Sequence, residues 1–145
     1  MSGGRCPVPR PRARLLDTNV LLRYPIGDAP AQAAGATALM ERLEAGQEHG
    51  EVLETVVAET VWTLESYYRV PRHEIAERVA AILAFRGVRV ARKGLLIRAL
   101  ARFGSTSADF VDCLLAATAD RWKLTVYSFD ARDFRRLGVR WEAPS

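Results

Sequence analysis

The chain has 145 residues, 49% hydrophobic and 26% charged, with a formal net charge of +4. That length and balance fit one ordinary globular domain, too short for two and too apolar for a disordered chain. No apolar run approaches the roughly 18–20 residues that span a bilayer, and the start lacks the apolar stretch of a secretory signal, so no membrane role and a cytoplasmic location are expected.

Residues 1–13 are rich in Pro, Gly and Arg and show no periodicity, which marks a flexible tail ahead of one domain at residues 14–145. The tail also locates the charge. Arg5, Arg10, Arg12 and Arg14 stand in a stretch without acids, and setting them aside leaves 17 basic residues against 17 acidic ones. The excess basicity therefore belongs to the start of the chain, either a dispensable extension or a nonspecific phosphate contact, and the body from Leu15 onward is formally neutral.

Arg14–Leu16 reads as a short buried strand ending at Asp17-Thr18-Asn19. Ala36, Leu39, Met40 and Leu43 recur at helical spacing, which places a helix or two through Ala31–Glu44. Val52–Val57 reads as a second strand, followed by a helix over 58–68 with Val61, Leu64 and Tyr68 on one face. Pro71 interrupts, and a helix from Arg72 to Phe85 is ended by Gly87. Val88–Ala91 is a third strand, and a helix over Leu95–Phe103 stops at Gly104. The remainder reads as a helix Ser107–Trp122, a strand Leu124–Ser128, a helix Ala131–Leu137 and an edge strand Val139–Trp141. Such alternation implies an α/β fold with a parallel sheet covered on both faces.

In sheets of that kind, functional groups gather at the carboxyl ends of strands and the helices just beyond. Asp17 follows the first strand and Glu59 starts the helix after the second. Asp109 and Asp112 open the helix after Thr106, and Asp130 follows the fourth strand with Asp133 three residues on. Carboxylates gathered within a few Å raise one another's pKa, and a hard divalent cation relieves that repulsion. His49 and His73 lie in polar stretches, and Cys6 and Cys113 have no zinc spacing, although a tail-to-core disulfide stays open. An acidic pocket without His or Cys points to Mg²⁺ or Mn²⁺ and to phosphodiester chemistry.

Each acid also has a purely structural reading. Asp17 suits a turn, Glu59 suits the positive end of a helix dipole, and Asp130 suits the cap of the helix beginning at Ala131. Thr106-Ser107-Ala108-Asp109 resembles a capping box, which leaves capping and metal binding both open for Asp109. Asp112, between Val111 and Leu115, has no such role, and burying it without a partner is costly.

Four blocks in order, Leu15-Leu16-Asp17-Thr18-Asn19-Val20-Leu21, Val57-Ala58-Glu59-Thr60-Val61-Trp62-Thr63-Leu64, residues 108–117 around Asp109 and Asp112, and residues 126–134 around Asp130, resemble the PIN-domain family. Within it the chain is most similar to VapC-type toxins, single-domain endoribonucleases neutralised by a cognate antitoxin. The resemblance implies a three-layer α/β/α fold with a central, mostly parallel sheet of four or five strands. It implies a metal-dependent ribonuclease whose catalytic and metal-binding acids match Asp17, Glu59, Asp112 and Asp130, with Asp109 an additional acid. Thr18 and Asn19 would shape the loop after the first strand, and Ser128 matches a small hydroxyl residue where Thr is common. An RNA substrate, one or two Mg²⁺ or Mn²⁺ ions and an antitoxin partner follow from the same likeness. Arg132, with Arg23, Arg135 and Arg136, is a candidate phosphate contact or a solvated surface arginine.

Other functions stay in view: a housekeeping PIN nuclease, or a non-catalytic module binding RNA or protein. A phosphotransferase using Asp17 as nucleophile would want a second acid two residues on, where this chain has Asn19. The apolar and aromatic residues near Leu39–Leu43 and Trp62–Tyr67 offer a homodimer face or a groove for an antitoxin helix, although such residues more often belong to the core.

Overall fold

Short parallel strands joined by helices organise the chain in the computed structural model, which describes residues 13–26 and 30–145. The Arg/Pro segment at 1–12, with Cys6, lies outside the described residues. The elements in order are β1 (Arg14–Leu15), α1 (Thr18–Ile26), α2 (Pro30–Ala45), β2 (Gly50–Glu51), α3 (Glu54–Ser66) and α4 (Arg72–Leu83). Then come β3 (Val88–Arg89), α5 (Lys93–Ser105), α6 (Phe110–Trp122), β4 (Val126–Tyr127), α7 (Ala131–Leu137) and β5 (Trp141–Glu142).

The α/β architecture holds, with β2 pairing in parallel between β1 and β3, and β4 pairing in parallel with β5. Parallel neighbours need a crossover, and here each crossover is helical. Among the described residues the five strands thus form ladders of three and two. Among the described residues no helix is long and apolar enough to cross a membrane.

Three local expectations change. The second strand is Gly50–Glu51, and most of Val52–Val57 belongs to helix α3 instead. That run is rich in β-branched residues, yet Val57, Thr60, Val61 and Leu64 repeat at helical spacing and are buried. Burial of that stripe overrides the local β propensity. Gly104 does not end α5, which runs on to Ser105; a Cβ there would stand 2.8 Å from the Ala76 side chain, so the glycine lets α4 and α5 approach closely. Gly87 lies beyond the end of α4 and serves the sheet. Its N–H donates to the Leu43 carbonyl at 2.7 Å and its carbonyl accepts from Gly50 N at 2.9 Å.

Apolar faces of α1 to α6, together with Val52 and Val88, fill one core that includes Leu21, Met40, Leu43, Ile75, Leu96 and Phe103. A smaller cluster of Ala116, Ala119, Val126, Phe134 and Val139 sits under α7. Helix α6 serves both, through Cys113 and Ala117 on one side and Ala116 and Ala119 on the other. The helix carrying Asp112 is therefore gripped from two directions. Cys113 is a buried free thiol, while the other half of the tail-to-core disulfide, Cys6, lies outside the described residues. Leu43 and Leu64 are core residues as expected, but Trp62 and Tyr67 are 66% and 75% exposed.

Candidate carboxylate site

Beyond β1 the chain turns directly into α1, and the Asp17 carboxylate accepts the Thr18 N–H at 2.8 Å. Thr18 is buried, and a buried hydroxyl needs a partner. Its Oγ1 donates to Glu59 Oε2 at 2.9 Å, joining residues 41 apart in sequence. Thr18 and Asn19 stand in the first turn of α1, not in a loop. Asn19 lines a cavity of about 360 Å³ between α1 and α2, with Val20, Arg23 and Leu39.

Glu59 lies in the second turn of α3, because that helix begins earlier than the sequence suggests. The first-turn acid is Glu54, whose carboxylate pairs with Arg92 at 3.0 Å. The dipole reading therefore passes from Glu59 to Glu54. The Glu59 side chain is exposed and engaged by Thr18.

Asp112 occupies the first turn of α6 and is half-buried. Burial pushes its carboxyl above the usual range, and the negative charges of Asp109, Asp133 and Asp130, together with hydrogen bonding to Asp133, push the same way. Four carboxyl groups from the starts of α6 and α7 and the residues directly before them thus share one neighbourhood. Asp109 is the residue before α6, and its side chain makes no capping hydrogen bond. Thr106 closes α5 instead, its Oγ1 donating to the Arg102 carbonyl at 2.7 Å. The expected capping box is not formed because the helix starts four residues after Thr106. Asp130 does cap its helix, accepting the Arg132 N–H at 3.2 Å, while its own N–H donates to Ser128 Oγ at 2.9 Å.

The acids fall into two groups, Asp17 with Glu59 through Thr18, and Asp109, Asp112, Asp130 and Asp133 around α6. Among the described residues no three Asp, Glu, His or Cys side chains converge tightly enough to enclose an ion by themselves. A cleft of about 250 Å³ between α3 and α6 is lined by Ala58, Trp62, Glu65, Phe103, Asp109 and Asp112. Its oxygen donors suit a hard cation that keeps part of its water shell.

A family model for the PIN domain matches residues 14–139, from β1 to just past α7. The chain belongs to the PIN domain family. It is similar to a protein described as VapC ribonuclease from Aquifex aeolicus (strain VF5), 29% identical over 131 residues, covering 90% of this chain and 96% of that one. All the acids named above fall inside the matched segment of this PIN domain.

Around the acids, Arg132 is exposed, Arg136 donates to Ser107 Oγ at 3.0 Å and Arg135 lies over the Trp141 ring at 5.5 Å. Sequence reasoning placed Asp133 beside Asp130 among the acids at the strand ends but assigned it no separate role. It also passed over Arg72 and Glu65. The clue to Arg72 is a cation in the first turn of a helix, where the dipole disfavours positive charge.

Proposed function

We propose that this PIN domain is a metal-dependent endoribonuclease that cleaves RNA phosphodiesters as the toxin of a toxin–antitoxin pair. The observation that carries this reading is the likeness to a VapC ribonuclease along nearly the whole length of both chains. Gathering of like-charged carboxyl groups around Asp112 supports it, because such crowding is costly without a compensating cation.

Asp17 and Asp112 would hold Mg²⁺ or Mn²⁺, with Glu59 and Asp130 completing the set and Asp109 as a further donor. When bound, such ions supply activation of water and stabilisation of charge on a phosphoryl oxygen. The chain's own groups do the orienting. Thr18 holds the Glu59 carboxylate from its buried side, and Ser128 holds the backbone at Asp130. Arg132, exposed in the first turn of α7, offers a guanidinium for a substrate phosphate, and Asn19 extends the surface beside Asp17. An antitoxin protein and a second copy of the chain are the partners this reading assigns.

Cleavage of a mixed structured-RNA pool with EDTA, Mg²⁺ and Mn²⁺ arms tests the proposal, with Asp112→Ala as control. Metal-dependent cutting that the substitution abolishes is the expected result. A folded, metal-loaded, partner-free chain that leaves every RNA intact would turn the reading toward a non-catalytic RNA- or protein-binding module.

A further inference from the structure

Arg72 opens α4, yet its side chain is only 25% exposed and its guanidinium is engaged on several sides. Nη1 donates to Glu65 Oε2 of α3 at 2.6 Å. Nε donates to the Phe103 carbonyl near the end of α5 at 3.1 Å, and Nη2 donates to the Ala108 carbonyl. The group also lies over the Phe103 ring, 3.7 Å from its centroid. Ala108 directly precedes Asp109 and α6, and Glu65 stands on the same helix as Glu59. Glu65, Phe103, Asp109 and Asp112 line one cleft. A single side chain thus ties the helix bearing Glu59 to the turn that delivers Asp112.

We propose that Arg72 is a positioning residue for the carboxylate site, fixing the spacing of α3 and α6 and so the spacing of Glu59 from Asp109 and Asp112. This rests on the metal-dependent reading above. The acids repel one another, and the turn before α6 has no helical ladder of its own to hold it. The guanidinium supplies that hold because its planar fork reaches three acceptors at once while its face stacks on a ring. An ammonium group is a point charge and cannot do both.

Mn²⁺ binding, read by titration calorimetry on the full chain, tests the role in wild type, Arg72→Lys, Arg72→Gln, Glu65→Gln and Asp112→Asn. Arg42→Gln serves as control, because it removes an ion pair with Glu48 on a different part of the surface. Thermal unfolding establishes that each variant is folded. Arg72→Lys keeps the charge and Glu65→Gln keeps the shape, so both remain informative where Arg72→Gln fails to fold. The expected result is Mn²⁺ affinity lowered about 10- to 100-fold in the Arg72 variants, a smaller loss in Glu65→Gln and none in Arg42→Gln. Cleavage by Arg72→Lys should recover at saturating Mn²⁺, whereas Asp112→Asn should not. Unchanged Mn²⁺ affinity in folded Arg72→Lys and Arg72→Gln overturns the inference and leaves the nuclease reading standing. A wild-type chain that neither binds Mn²⁺ nor cuts RNA overturns that reading, and the inference with it.

Discussion

At Thr18 a buried hydroxyl meets an exposed carboxylate, and the pairing joins the first strand's end to α3. Thr18→Val keeps the β-branched shape and removes only the donor. It should cost about 1.5–3 kcal/mol, the range for a hydrogen bond to a charged group, read from urea unfolding. Loss of cleavage with Mn²⁺ should accompany it if Glu59 must be held in place. Asp112 makes the opposite contribution. Its pKa is raised in the folded state, so the stability it gives is fully present below the unfolded value of 3.8 and is lost as pH rises through the folded value. In EDTA at pH 7, Asp112→Asn should therefore be more stable than wild type, whereas with Mn²⁺ present it should lose the cleavage that wild type shows. The gap in unfolding midpoint should close as the pH falls below that unfolded value. A variant less stable than wild type at pH 7 would show that Asp112 serves the fold.

Helix α7 is short, so its cap matters to its existence. Asp130 accepts the Arg132 N–H and is held in turn by Ser128. Asp130→Ala should cost about 1 kcal/mol, and Asp130→Asn much less, since Asn caps about as well as Asp. RNA cleavage separates the two roles: full activity in Asp130→Asn confines the residue to capping, while lost activity assigns its charge to the site. The Gly87 connection tests the sheet in the same way. A Cβ built there would stand 2.0 Å from the Glu48 carbonyl oxygen and 2.9 Å from that of Leu43. Both are backbone atoms, which cannot swing aside. Gly87→Ala should cost about 3 kcal/mol, the upper end of overpacking, and lower the Tm by about 6–12 °C.

Across the whole molecule, the arginine surplus and the acids belong to different parts of the chain. Arg5, Arg10 and Arg12 lie before the family match, which begins at residue 14, as does β1. A chain lacking residues 1–12 should still unfold cooperatively and still cut RNA with Mn²⁺. Its RNA binding should lose salt dependence by a slope of about 2–3 if those three arginines contact phosphates. An unchanged slope would make the segment dispensable for RNA. Unfolding at room temperature would instead place it within the domain.

Sequence by itself determined the α/β class and the order of nearly every element, and it pointed to the acids just beyond the strands, because these are written in local periodicity and in the residues directly after each strand. It misplaced the second strand, since the β-branched run at Val52–Val57 cannot reveal that Val57, Val61 and Leu64 bury one helical face. Glu59 consequently moved one turn into α3, and the first-turn role went to Glu54. Tertiary structure alone decided the partners: Thr18 with Glu59, and Arg72 with Glu65, Phe103 and Ala108, and it alone crowded Asp112 with the charges of Asp109, Asp133 and Asp130. The physical reason is range. Spacing along a chain records which face a residue presents, whereas hydrogen bonding and mutual charge depend on which faces meet between segments far apart in sequence, and only packing settles that.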